Sequence, residues 1–534
     1  MCAEIESVGG PEGTQGPSEE PPIISPVVGG DAFEGNRYVS GILYSDSGRI
    51  YRTALPSLFT VAASLTSGLV AFVAARWIGP QGYGQAQEIL LAYALAGLVQ
   101  IGAFSAGVRS SIHQQGLGQT DVAAHDLNVG VSVDILVSVV PGIALGFCAL
   151  AATNSVAVVG LALAPLIVGM SSLAGFVGGI EIANGRTARA TIVAAIGTVA
   201  GGLVAIATVR LIGPIGLFLG ALVGGTVSVL ILLPRLRRAG LRFTWDLQSA
   251  RHLTKQGYPL AVNSVTYWAY RWIGPLSVAI ALGSKALGLY SLAVAPVALG
   301  VAAVTIAAKQ FMPGFWQDMA RNDRWRWIPE GDRMTLVLVM AAAILATLGQ
   351  AIAPWFVRIA LPAFAPSVPI FEILALEMPL IVAPIVASLV LDSKTVSRQR
   401  LHAGVWVAGL VLNGVANAIV LALGVGAIGI AWNDVAIQGL MMVLLMALAA
   451  RHQGLIGPRV GMLLRILGVL LLGSLLGTAL LVTERRYPTS SAEISGLGLR
   501  LAATVGLWAV GGGIVMLLGR RGRVGTARSA RTPD

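Results

Sequence analysis

The chain has 534 residues, of which 55% are hydrophobic and only 11% charged, with a mean hydropathy of +0.78. A soluble domain carries about a quarter charged residues, so a water-soluble enzyme or binding module is excluded. The formal net charge of +11 would suit nucleic acid, but the placement of the basic residues argues against that partner.

In chain order, residues 1–50 are rich in Pro, Gly, Glu and Ser and lack the basic start and apolar stretch of a signal peptide. They read as a disordered cytoplasmic tail. About fourteen apolar segments then follow almost end to end, at 53–78, 86–108, 127–151, 156–180, 190–209, 214–234, 258–282, 286–308, 334–357, 367–391, 403–424, 427–449, 462–483 and 498–519. A hydrocarbon core takes roughly 20 residues of helix to cross. The expected fold class is therefore an all-α polytopic membrane protein with about 14 transmembrane helices. With the N-terminus inside, 28 of the 36 Lys and Arg fall in cytoplasmic stretches and seven outside. That bias orients membrane proteins, and it places both termini in the cytoplasm of a plasma membrane. The same charges meet anionic inner-leaflet lipids, and no nucleic-acid role is expected.

The segments repeat. Gly79-Pro80-Gln81-Gly82-Tyr83-Gly84 follows the first span and Gly283-Ser284-Lys285-Ala286-Leu287-Gly288 the seventh. Gly213-Pro214-Ile215-Gly216 opens the sixth span and Gly426-Ala427-Ile428-Gly429 the twelfth. Both pairs lie six spans apart, which divides the chain into two pseudo-symmetric six-helix lobes. The N-lobe covers 53–234 and the C-lobe 258–449, joined by an amphipathic cytoplasmic linker at 235–257 that carries Trp245, Leu247 and Leu253. Helices thirteen and fourteen occupy 462–519, and a basic cytoplasmic tail fills 520–534. Parallel repeats of this kind are a transporter signature, with the substrate between the halves.

These residues carry a resemblance. The stretch from Arg76 through Gly84 resembles the first-loop signature of Wzx-type polysaccharide/O-antigen flippases of the multidrug/oligosaccharidyl-lipid/polysaccharide (MOP) exporter superfamily. Similar stretches recur at 283–290, 361–376 and 426–431, and the likeness spans roughly 53–450. The resemblance implies a two-lobed carrier in a bacterial inner membrane. It would turn a polyprenyl-pyrophosphate-linked oligosaccharide from the inner to the outer leaflet by alternating access. The Arg-rich C-terminus from Arg520 to Arg531 reads first as a retention charge and only second as a contact for polysaccharide-biosynthesis enzymes as partners. A peptidoglycan-precursor (lipid II) flippase of the same superfamily also has fourteen helices.

Charged residues inside membrane helices are costly and face a cavity or a partner. Arg271 lies near the middle of the seventh span, and Asn263, Tyr267 and Tyr270 share its helical face. A guanidinium beside tyrosines and an amide suits a pyrophosphate-linked sugar, so these four are the expected substrate-binding residues. Arg52 and Arg109 are expected to capture the head group from the cytoplasm. The other reading of Arg271 is neutralisation by a carboxylate such as Asp134 or Glu377. Glu377, Asp134 and Asp434 are the candidate ion-coupling carboxylates, and Gln100, Asn413, Asn417 and Asn433 are polar lining candidates. Pro275 is a candidate hinge beside Arg271.

The sequence has no P-loop, nucleophile elbow or metal-ligand spacing, and its five histidines read as scattered at loops and span ends. No cofactor, metal or catalytic residue is expected. The alternatives to a glycan flippase are a cation-coupled multidrug exporter, which calls for an acidic rather than a basic central pocket, and a peptidoglycan-precursor (lipid II) flippase, which the fourteen spans support but the motifs do not.

Overall fold

The computed structural model describes residues 46–99, 102–116, 120–183, 186–238, 243–321, 328–392 and 398–452. All regular structure among them is helical. The first half contains α1 (Asp46–Gly97), α2 (Ala103–Gly116), α3 (Thr120–Cys148), α4 (Ser155–Ala183), α5 (Thr187–Ile212) and α6 (Ile215–Arg238). The second begins with α7 (Leu247–Arg321) and α8 (Ile328–Ala360) and a 3-10 turn at Pro362–Ser367. Three short helices follow, α9 (Val368–Ala375), α10 (Glu377–Val382) and α11 (Ile385–Asp392), before α12 (Gln399–Ala422) and α13 (Gly426–His452).

Ten stretches among the described residues are long and apolar enough to cross a membrane. Two of them, Leu58–Gly97 with 40 residues and Leu247–Thr305 with 59, are long enough for two crossings each at roughly 20 residues per crossing. Counted so, the stretches fall at the first twelve predicted spans. The predicted spans 462–483 and 498–519 and the tails at 1–45 and 520–534 lie outside the described residues, so fourteen is not reached within them.

The two long runs are each a pair of helices meeting at a glycine. Gly79 has φ 67° and ψ 176°, and Gly283 has φ 77° and ψ 178°. That left-handed, extended backbone is open to glycine and strained for other residues. Two positions 204 residues apart thus carry the same break. The second repeat behaves alike: Gly213 (φ 62°) precedes α6 and Gly426 (φ 72°) opens α13.

Two predicted spans are not continuous. The second, expected at 86–108, stops at Gly97 and resumes as α2 at Ala103, after Gly102 turns the chain with φ 82°. The tenth, expected at 367–391, is broken at Leu376 and again at Ala383 and Pro384. Proline has no N–H to give to the carbonyl four residues back, so Pro384 frees the carbonyl of Leu380. The Gln438 amide on α13 donates to that oxygen at 3.3 Å, and Gln350 on α8 donates to the carbonyl of Glu372 at 2.6 Å. Backbone left unpaired in lipid would cost several kcal/mol per group, so these two amides are what permit the breaks.

Small residues carry much of the core, with Ala74, Ala86, Ala164, Ala342 and Ala431 all within 1% of full burial. In a bilayer, close backbone approach and van der Waals contact hold helices together, because lipid tails are as apolar as leucine. The halves meet at two levels. At one, Gly84 and Gly288 pack backbone to backbone, and the Ser284 hydroxyl donates to Glu88 Oε1 at 2.6 Å. There too Arg76 Nη1 donates to the Ala360 carbonyl at 2.7 Å, and Tyr83 lies edge-on to Phe364. At the other, Gly102 packs on Gly257, sealed by Ala103, Ala106, Val129, Val133, Ala250 and Leu253.

Candidate functional site

Buried polar groups gather where α7 faces α10, α12 and α13. Arg271 Nη1 donates to Glu377 Oε1, and the two side chains are only 16% and 6% exposed. Glu377 stands on the first turn of α10, at the break in the tenth span. That break brings a carboxylate to Arg271, within the apolar run Leu247–Thr305. The Tyr290 hydroxyl donates to Asp434 Oδ2 at 2.5 Å, and the Asn413 amide donates to Oδ1 at 2.9 Å. Asn433 donates onward to Asn413 Oδ1 at 2.7 Å and to Asn417 Oδ1 at 2.8 Å, and Asn417 reaches Ser277 at 3.4 Å. Gly274 makes room for this cluster, since a Cβ there would collide with Asp434 and Tyr290.

Between the ion pair and Asp434 lies a cavity of about 20 Å³, bordered by Tyr270, Arg271, Tyr290, Glu377, Asn413 and Asp434, with Pro275 also on its wall. Its size is that of about one water molecule. The Tyr270 hydroxyl is buried without a hydrogen-bond partner among the described residues. In this conformation the centre of the second half is closed and Arg271 is committed to a carboxylate. One arginine stands there against two carboxylates.

The structure sorts the other expected site residues. Tyr267 packs edge-on against Trp268 and Trp406. Asn263 does not join Arg271. Its amide donates to Asp392 Oδ2 at 3.4 Å, because eight residues of helix separate the two levels by about 12 Å. Asp134, 1% exposed, is not on the cavity wall; its Oδ2 accepts from the Phe104 N–H at 2.8 Å, at the first turn of α2. Arg52 lies on α1 and Arg109 on α2, and their side chains fall outside the described residues, as does Gln100.

Sequence reasoning missed one polar group. His402, read as a span-end histidine, is 2% exposed on α12 and stands 2.9 Å from Asp392 Oδ1. Trp406 Nε1 donates to its Nε2 at 3.0 Å; tryptophan only donates, so the ring proton belongs on Nδ1, facing Asp392. The spacing His402 to Trp406, one helical turn, was the available signal. Near the same end, Asp246 precedes α7 and accepts from Gln248 N at 3.0 Å. Hydrogen bonds, first from the Ser249 hydroxyl, hold its carboxyl below the usual carboxylate range.

A second, larger cavity of about 950 Å³ opens between α3, the start of α7 and α12. Its walls are apolar, and Arg251, Lys255 and Arg400 stand on it with no acidic residue.

Residues 73–324 match the family described as polysaccharide biosynthesis protein. No curated protein matches the sequence. Among solved structures, the chain is similar to the lipid II flippase MurJ in its inward closed conformation. The TM-score is 0.63 at 13% identity, covering 86% of this chain and 98% of that one. It is also similar to a multidrug resistance MATE family transporter of the MOP superfamily. The inward-facing form gives a TM-score of 0.53 at 13% identity, covering 76% of this chain and 98% of that one. The outward-facing form gives 0.53 at 13%, covering 77% and 97%. The fold of this multi-pass membrane protein is the one those transporters have.

Proposed function

We propose that this chain is a MOP-type transporter that turns a polyprenyl-pyrophosphate-linked oligosaccharide from the inner to the outer leaflet of a bacterial plasma membrane. The observation that carries the reading is the pair of matched breaks at Gly79 and Gly283, whose following turns place Gly84 and Gly288 in direct contact. Two halves of like construction that meet at two levels can rock, releasing one contact while the other holds, which is what alternating access needs. The match to a polysaccharide-biosynthesis family directs the substrate towards a lipid-linked glycan. The basic bias of the predicted cytoplasmic loops supports an orientation with both termini inside.

In the closed state Glu377 occupies the guanidinium of Arg271. Loading then exchanges one anion for another. Protonation of Glu377, or capture of a cation between Glu377 and Asp434, releases Arg271 to pair bidentately with a substrate phosphate. Return of the carboxylate expels the head group on the far side. Tyr270, on the wall of the same cavity, offers a hydroxyl to the glycan or phosphate.

A second reading, a cation-coupled multidrug exporter, is favoured by the excess of carboxylates over arginine around the central cavity. The test is mass spectrometry of polyprenyl-linked glycans after depletion of the protein, with a membrane-impermeant glycan label reporting the leaflet. The expected result is build-up of one complete lipid-linked glycan shielded from the label. An unchanged glycolipid pool together with raised drug accumulation would support the exporter instead.

A further inference from the structure

The 950 Å³ groove between α3, α7 and α12 has a polarity gradient along its length. On α7, Lys255 precedes the wall residue Val262 by seven positions, and on α12 Arg400 precedes Val407 by seven. Two turns of helix span about 10 Å. Both helices therefore place a cation at one end of the groove and a branched apolar side chain at the other, and Arg251 adds a third cation one turn before Lys255. None of the three has an ion-pair partner among the described residues. Exposed Trp245 and Tyr258 stand at the charged end, where such rings sit at a headgroup boundary. Water-soluble anions have no use for the apolar walls, and an apolar peptide has none for three unpaired cations. The shape and charge fit an amphiphile with an anionic head and a hydrocarbon tail.

The position of the groove narrows its occupant. Val133 and Ala250 belong both to its wall and to the apolar cluster that seals Gly102 on Gly257, and Tyr258 follows Gly257 directly. The groove thus lies immediately outside a seam between the halves. A single-phosphodiester phospholipid such as phosphatidylglycerol brings one phosphate charge, whereas a diphosphate brings two or three, which matches three cations. We infer that this groove is the loading site for the diphosphate end of a polyprenyl diphosphate lipid, held in the inner leaflet beside the Gly102–Gly257 seam until that seam parts. The inference rests on the transport reading above and adds a site to it.

The test uses the full-length protein with Cys2→Ser and Cys148→Ser, reconstituted in nanodiscs, with a C55 polyprenyl diphosphate as probe. Combined Arg251→Gln, Lys255→Gln and Arg400→Gln should weaken binding on the order of a hundredfold. Gly404→Trp gives a second variant that keeps every charge, because open space surrounds a Cβ built at Gly404 on the groove wall. It should block binding while leaving thermal stability unchanged. Gly404→Cys should react with a maleimide in the absence of the probe and be protected by it, but not by uncharged polyprenol. Unchanged probe affinity in the triple and Gly404→Trp variants would overturn the groove and leave the transport reading standing. Equal protection by phosphatidylglycerol would make it a general phospholipid site, and a Gly404→Cys that never reacts would mean that the chain itself fills it. If the wild-type protein neither binds nor turns over any polyprenyl diphosphate, the transport reading falls and this inference with it.

Discussion

Gly84 and Gly288 each occupy the space that the other's side chain would need. A Cβ on Gly84 would run into the backbone of Ser284 and Gly288, and one on Gly288 into the backbone of Pro80 and Gly84. Backbone cannot swing aside as a flexible side chain can, so this contact exists only while both positions are glycine. Gly84→Val is expected to hold the halves apart at this level and leave the Gly102–Gly257 level closed. A short bifunctional cross-linker between Glu88→Cys and Ser284→Cys should join the halves in the parent protein and fail after Gly84→Val. Efficient cross-linking in the valine variant would show that the contact does not govern closure.

The same pair shows why so much of the fold was legible. A span must be about 20 apolar residues long, so helix positions follow from hydropathy alone, and the shared spacing from Gly79 to Gly84 and from Gly283 to Gly288 gave away the repeat. The interruptions were less legible because they depend on a partner. Pro384 in an apolar run is consistent with a kink or a break, and only the amide of Gln438, 54 residues later, makes the break tolerable. Gly102 likewise reads as one more packing glycine until its positive φ is known.

Asp134 tests the difference between a coupling carboxylate and a structural one. Its Oδ2 accepts from the Phe104 N–H, at the start of a helix where negative charge and hydrogen-bond acceptors are stabilising. Asp134→Asn keeps an acceptor and is expected to retain transport with a loss of less than about 1 kcal/mol of stability. Asp134→Leu should cost about 1–3 kcal/mol by leaving the amide unpaired. Loss of transport in the asparagine variant at unchanged stability would restore Asp134 to the coupling set.

Asp434 should behave in the opposite way. It takes hydrogen bonds from Tyr290 and Asn413, and an asparagine in its place keeps the size while removing the charge. Asp434→Asn is expected to abolish transport driven by an ion gradient but to spare downhill exchange of substrate between leaflets. Tyr290→Phe removes one hydrogen bond and should cost about 1 kcal/mol of stability with gradient-driven transport largely kept. Gradient-driven flux in proteoliposomes distinguishes the two, and normal flux with Asp434→Asn would remove this residue from coupling.

The site was half legible for a physical reason. Arg271, Glu377 and Asp434 were conspicuous because isolated charges in apolar helices have few uses. Their pairing was not, since sequence shows which helix a charge sits on but not which helices touch. Asn263 illustrates the limit: it shares the helical face of Arg271, yet its amide donates to Asp392 at another depth. His402 itself reads as a span-end histidine because the eleventh predicted span begins at 403, whereas the helix starts earlier, at Gln399.

The Arg271–Glu377 pair decides whether the arginine is there for the substrate or for the fold. Removing one partner of a buried pair leaves an uncompensated charge and costs about 3–5 kcal/mol, whereas replacing both with apolar residues of similar volume is often neutral or stabilising. Arg271→Ala and Glu377→Ala alone should therefore both lower thermal stability. Combined Arg271→Met and Glu377→Leu should recover it while transport stays absent, because no guanidinium remains for the phosphate. Arg271→Lys should keep charge and much of the stability but lose part of the transport rate, since an ammonium cannot make the two-pronged contact. Transport measured beside thermal unfolding in each variant separates the roles: if the apolar pair both folds and transports, Arg271 holds the bundle together and the substrate is bound elsewhere.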